Sequence, residues 1–249
     1  MFFKANGLSF YYEKYGDKKP VVLILPGWGN TRNTFTNLIT FLKNTHTVYI
    51  IDYPGFGNSP LPNKELSIYD YAELIHKFIL KEKIKPIIIA HSFGGRIAAI
   101  LIGKYHLHIN KLILIDVAGI KHFNIKVFLK QKIYKFLKLL LNILPLKNKY
   151  LYHKKLLKLF SSEDYHNLSS IMKKSFINIV NEDLKKYYKL ITCETLIIWG
   201  KKDLDTPLKD AYYLRKIIKD SGLIIYNNGH FSYFENSILT NIIINSFLN

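Results

Sequence analysis

Short, continuous apolar runs alternate with amphipathic stretches along most of this chain. The runs are Val21–Leu25, Val48–Ile51, Ile87–Ala90, Leu112–Ile115, Leu196–Trp199 and Leu223–Tyr226. They are rich in Ile and Val, lack polar alternation and end in turn or polar residues. That pattern predicts strands buried on both faces of a parallel sheet. Between them, Ser67–Leu80 and Arg96–Tyr105 repeat apolar residues at helical spacing. Regular strand–helix alternation predicts an α/β fold with a mostly parallel central sheet and flanking helices. Ahead of it, Asn6-Gly7 predicts a tight turn and Leu8–Tyr12 a strand, together an N-terminal hairpin.

The alternation breaks once. From about Lys121 to Leu190 no strand pattern occurs, and Leu, Phe, Tyr and Lys recur at helical spacing. Pro145 is expected to separate two helices there. The expected organisation is an α/β core of residues 1–120 and 191–249, with an α-helical insertion at 121–190, which the resemblance named below implies is a lid.

Composition narrows the class. Half of the 249 residues are apolar and dispersed in short runs, so a substantial core can form. The formal net charge is +18, nearly all of it from lysine. A lysine-rich compositional bias and an anionic partner both account for that charge. Nucleic acid is disfavoured as that partner, because arginine, the usual reader of base edges and phosphates, is scarce. The single cysteine, Cys193, cannot form an internal disulfide, which fits a reducing cytoplasm. The segment Met1–Phe10 lacks the charged and apolar regions of a signal peptide. No run approaches the ~18 apolar residues that span a bilayer, so a cytoplasmic protein is expected.

The chemistry centres on Ser92. The strand Ile87–Ala90 runs into His91-Ser92-Phe93-Gly94-Gly95 and then an apolar helix. Ala90 and Gly94, two residues either side of the serine, are small enough for a sharp strand-to-helix turn. Such a turn holds the hydroxyl at the carboxyl end of the sheet, where open α/β sheets place their sites. The free N–H groups of the helix start point to the same spot and can hold an oxyanion. A serine hydroxyl also needs a base, and the base an acid that fixes its tautomer.

Ala90-His91-Ser92-Phe93-Gly94-Gly95 resembles the nucleophile elbow of the α/β-hydrolase superfamily. The family's usual first Gly is Ala90 here. The resemblance extends over nearly the whole chain and is weakest in the insertion. Leu25-Pro26-Gly27-Trp28-Gly29 occupies the family's oxyanion loop, with Pro26 where His is common. The resemblance implies the Trp28 and Phe93 N–H groups as oxyanion donors. Gly27 and Gly29 are expected to let the backbone approach substrate. Asp52-Tyr53-Pro54-Gly55-Phe56-Gly57-Asn58-Ser59 resembles the family's D-x-P-G-x-G-x-S loop and implies turn chemistry near the mouth of the site.

The superfamily order of nucleophile, acid and histidine is present. Gly200-Lys201-Lys202-Asp203-Leu204-Asp205-Thr206-Pro207 is similar to G-x-x-D-x-x-x-P, which implies Asp203 as the acid. Asp205 and Asp116, the latter also at a strand's carboxyl end, are competing candidates. Gly229-His230 follows the last strand at the family's base position. Of nine histidines, the other eight lack that context. His91 is expected to leave the turn in another direction, and His122, His153 and His166 fall in the insertion. No His/Asp/Glu cluster shows metal-ligand spacing, so no metal or other cofactor is implied.

These residues imply a serine hydrolase that cleaves a carboxylic ester or related acyl bond through an acyl-enzyme. C–C bond hydrolysis, perhydrolysis and acyl transfer are alternatives on the same triad. A non-catalytic acyl-ligand-binding or interaction protein on this fold is a further alternative, although such proteins often lose a triad member. Dehalogenase chemistry would need Asp in place of Ser92.

Residues 121–160 contain eleven Lys and no Asp or Glu. Within Gln131–Leu144, Gln131, Lys135, Lys138 and Asn142 form one helical face, and Ile133, Phe136, Leu137, Leu140 and Leu144 the opposite one. Three readings stay open. The apolar face packs on the site beneath solvated lysines. The basic face docks an acidic carrier such as acyl carrier protein, as in some acyl-carrier methyl esterases of the superfamily, whose loop Gly27-Trp28-Gly29 resembles. Or the helix rests on an anionic membrane.

Overall fold

Six of the apolar runs become consecutive parallel strands of one sheet. In a computed structural model, residues 1–121, 125–143, 148–149, 151–152, 155 and 168–249 are described. The strands are β1 (Phe2–Ala5), β2 (Leu8–Tyr15), β3 (Val21–Leu25), β4 (Thr47–Asp52), β5 (Pro86–His91), β6 (Lys111–Ile115), β7 (Glu194–Gly200) and β8 (Ser221–Tyr226). Their spatial order is β1-β2-β4-β3-β5-β6-β7-β8. β2 alone is reversed, pairing antiparallel with both β1 and β4, and every pairing from β4 to β8 is parallel. The hairpin turn falls at Asn6 and Gly7, both with positive φ, which fits the twist of the two strands.

Helices cover both faces. They include α1 (Thr36–Leu42), α2 (Ile68–Glu82), α3 (Phe93–Gly103), α4 (Ile125–Ile143), α5 (Ser170–Val180), α6 (Lys185–Tyr188), α7 (Leu208–Ile217), α8 (Ser232–Glu235) and α9 (Ser237–Leu248). Helix α2 starts on a capping box, in which Ser67 and Asp70 satisfy each other's backbone N–H groups. Two cores result. Phe10, Tyr71, Phe78, Ile97, Leu101 and Trp199 pack on one face, and Ile24, Phe35, Ile50, Ile113, Ile198 and Tyr233 on the other.

The sequence reading of an α/β fold holds, with two local differences. Helix α3 begins at Phe93, directly after the serine, rather than at Arg96. Strand β8 is not buried on both faces; Leu223 and Ile224 are half-buried and Ile225 is exposed. It is the sheet edge, paired on one side only, with β7. Pro145, Leu144, His122, His153 and His166 lie outside the described residues, as do the side chains of Gln131 and Lys135. Among the described residues no helix is long and apolar enough to cross a membrane.

The sheet order reverses between β3 and β5, whose crossovers leave to opposite sides. Loops at their carboxyl ends therefore diverge and open a crevice, the usual place for a ligand in this architecture.

Candidate active site

Ser92 sits where β5 turns into α3. Its backbone adopts φ 47° and ψ −109°, a conformation that L-residues avoid. Surrounding bonds impose it. The Ser92 N–H donates to the Ile115 carbonyl at 3.1 Å, and its own carbonyl accepts from Gly95 and Ala118, each at 3.1 Å. Gly94 permits the approach of α3 to β3, because a Cβ there would lie 2.0 Å from the Leu25 carbonyl oxygen. Ala90 is fully buried in β5 without conflict.

His230 and Asp203 reach the serine from two other loops. His230 Nε2 lies 2.9 Å from Ser92 Oγ, and His230 Nδ1 lies 2.8 Å from Asp203 Oδ2. Asp203 follows β7, and His230 follows β8. Gly200 lets these loops touch, since a Cβ there would meet the Gly229 carbonyl at 2.1 Å. The Asp203 side chain is fully buried and accepts from the Asp205 and Thr206 N–H groups at 2.8 and 2.9 Å. The Thr206 hydroxyl donates to Asp203 Oδ2 at 2.5 Å.

The charges follow from this geometry. Burial pushes the Asp203 carboxyl up, but the His230 hydrogen bond and charge, with Thr206, hold it below its ordinary value. Burial disfavours a charged His230, but the Asp203 bond and charge outweigh it and raise its pKa. The pair is tuned so that the ring takes up a proton readily and the carboxylate stays ionised.

The other candidate acids are placed differently. Asp205 is exposed, with its N–H bonded to Asp203. Asp116 does not bond His230. Its carboxylate accepts from the Gly200 N–H at 2.7 Å and the Ser232 hydroxyl at 2.5 Å. It therefore ties the ends of β6 and β7 to the first turn after His230. Burial raises its pKa to about 7, partly offset by Ser232 and Gly200. Asp203, Asp205 and His230 bring ligand-type atoms within 4.8 Å of one another. Sequence spacing did not reveal that trio, because it spans two loops, and Asp203 and His230 use those atoms on each other.

His91 does turn away from the serine, yet it meets the His230 loop. Its Nε2 donates to the His230 carbonyl at 2.9 Å, and burial drives its pKa down to about 3. It is a neutral strut under the histidine loop. Gly27 is close-packed. A Cβ there would lie 2.5 Å from Asn30 Nδ2 and 2.9 Å from His91 Nδ1, so the backbone passes these side chains only as glycine. Gly29 takes φ 75° in an open position. Asp52 stays in its turn, where it accepts from the Asn58 N–H at 2.9 Å.

Ser92 opens into a cleft of about 570 Å³. Trp28, Phe93, Phe176, Ile179, Val180 and Phe231 supply its apolar lining, with Asn30 and Arg96 as polar additions. Trp28 and Phe93 stack edge to face at 5.2 Å. The Phe93 N–H heads α3 and so has no acceptor within its helix. Arg96 is buried, and its Nη1 donates to the carbonyls of Ile179 and Glu182 at 2.9 and 3.1 Å. It fastens the end of α5 over the cleft. Thr206, Arg96 and α5 carried no sequence signal for the site, since their partners lie up to 90 residues away.

Comparison with known proteins agrees with this architecture. A family described as alpha/beta hydrolase fold matches residues 20–237. The chain is 26% identical over 260 residues to a pimeloyl-[acyl-carrier protein] methyl ester esterase of Wigglesworthia glossinidia brevipalpis, covering 96% of this chain and 97% of that protein. It is 29% identical over 266 residues to the monoacylglycerol lipase ABHD6 of Mus musculus, covering 92% and 76%. The solved structure of an esterase from Exiguobacterium antarcticum superposes with a TM-score of 0.76 at 23% identity, over 99% of this chain and 98% of that one.

Proposed function

The chain belongs to the α/β-hydrolase family and is a hydrolase of ester bonds, and on that premise we propose that it works through a Ser92–His230–Asp203 triad and an acyl-enzyme. One observation carries the proposal: the continuous hydrogen-bond chain from Ser92 Oγ through both His230 nitrogens to Asp203, at the floor of a cleft.

His230 Nε2 takes the Ser92 proton as Oγ bonds to the ester carbonyl carbon. The carbonyl π electrons move to oxygen, and the Trp28 and Phe93 N–H groups hold that oxyanion. Collapse breaks the bond to the alkoxy group, which leaves with the proton from His230. A water molecule then gives a proton to His230 and attacks the acyl carbon. The second oxyanion expels Ser92, which recovers its proton. Asp203 keeps the ring in the tautomer that presents a bare Nε2 and steadies the imidazolium.

The apolar lining favours an ester with an apolar acyl group. Residues 121–190 are read as a helical insertion over the site, supported by the α5 residues in the cleft lining. The charge of residues 121–160 suits an anionic partner, either an acidic carrier protein or a lipid surface.

Ser92→Ala tests the mechanism. It should abolish turnover of p-nitrophenyl esters and labelling by a fluorophosphonate, with an unchanged circular dichroism spectrum. Full turnover by the variant refutes it. A chain-length panel on the wild type then reads the acyl preference.

A further inference from the structure

Helix α4 turns an apolar stripe outward. Leu129, Ile133, Phe136, Leu140 and Ile143 are spaced 4, 3, 4 and 3 residues apart, so they share one face. They are 51, 51, 60, 37 and 69% exposed. The inward face is carried instead by Tyr134, Leu137 and Leu141, which are half-buried. Of the three readings of this helix, packing of the apolar face on the site does not fit Ile133, Phe136 and Leu140, which face solvent. At 1.5 Å per residue the stripe is about 21 Å long. Soluble surfaces seldom carry a continuous strip of Leu, Ile and Phe of that length without a partner.

We propose that the apolar stripe of α4 docks the protein on an anionic lipid surface. Two features select that occupant. The stripe needs hydrocarbon, and the surrounding sequence supplies only positive charge, with eleven Lys and no acidic residue in 121–160. An amphipathic helix of this kind lies in the membrane interface, apolar side chains among acyl chains and lysines at the headgroups. An acidic protein satisfies the charge without requiring the stripe. A second copy is disfavoured, because each carries a net charge of +18. The mouth of the cleft is itself apolar: Leu204 on the acid loop is 96% exposed, and Val180 and Phe231 line the cleft while remaining exposed. Docking there would let an acyl ester pass from lipid to Ser92. That last consequence rests on the proposed triad; the docking does not.

Flotation of the full chain with vesicles tests it. The wild type should float with phosphatidylcholine vesicles containing 30% phosphatidylglycerol, and at least tenfold less with phosphatidylcholine alone. The double variant Phe136→Ser/Ile143→Ser should lose at least tenfold in flotation while hydrolysing p-nitrophenyl acetate as the wild type does. Lys138→Glu/Lys155→Glu should weaken flotation and flatten its salt dependence. Ser92→Ala should float like the wild type, which separates docking from catalysis. Failure of the wild type to float overturns the proposal. So does undiminished flotation of the Phe136→Ser/Ile143→Ser variant, or retention of the wild type on immobilised acyl carrier protein but not on vesicles.

Discussion

Gly94→Ala adds one methyl group at the junction that holds the serine. Its Cβ would sit 2.0 Å from the Leu25 oxygen and 2.6 Å from the Leu25 carbon. Ordinary contact starts at 3.4 Å, so the start of α3 must retreat from β3 by about 1.4 Å. Neither atom can yield easily, because Leu25 belongs to a strand paired on both sides. Overpacking of this sort costs roughly 1–3 kcal/mol. In a chain of this size each kcal/mol lowers Tm by about 2–4 °C. The same retreat moves Ser92 Oγ from His230 and the Phe93 N–H from the oxyanion position together. A displacement near 1 Å costs about 100-fold in rate. Differential scanning calorimetry should therefore record a modest fall in Tm, and p-nitrophenyl butyrate kinetics a much larger loss in kcat/KM. Ala90→Gly is the control: it restores the family's usual residue and costs only about 0.5–1 kcal/mol, with turnover preserved. Wild-type Tm and turnover in Gly94→Ala would refute the reasoning.

Asp203→Asn should lower kcat/KM by roughly 10³–10⁴-fold, whereas Asp205→Asn should leave it near the wild-type value. Because Asp203 raises the His230 pKa, the acid limb of the kcat/KM profile should lie above the ordinary histidine range in the wild type and move to lower pH in Asp203→Asn; an unmoved limb assigns it to another group. Asp116→Ala leaves the Gly200 N–H and the Ser232 hydroxyl without their acceptor, at about 1–3 kcal/mol. The folded wild type binds a proton at Asp116 up to about pH 7 while the unfolded chain releases it earlier, so wild-type stability falls as pH rises from 4 to 7. The Tm deficit of Asp116→Ala should thus be largest near pH 4 and narrow toward pH 7. Trp28→Ala should shift preference toward longer or bulkier acyl groups; an unchanged preference removes its ring from the acyl pocket.

Local residue patterns specify the main elements and the chain order of the proposed triad. Apolar runs such as Ile87–Ala90 have no polar alternation because both faces are covered, and that is a local record of a parallel sheet. The proposed triad residues Ser92, Asp203 and His230 are legible as candidates because each follows a strand and sits in its own short motif. Tertiary structure decided everything that depends on segments meeting. Thr206 matters because its hydroxyl falls on Asp203 Oδ2, His91 because its ring reaches the His230 carbonyl, and Asp116 because β7 ends and α8 begins beside it. None of those contacts leaves a periodicity. The same limit applies to α4. Its sequence revealed an apolar side and a polar one, yet only the packing of Tyr134, Leu137 and Leu141 decided which way the helix faces. Amphipathic spacing records that a helix has two sides, and burial, a property of the assembled chain, chooses between them.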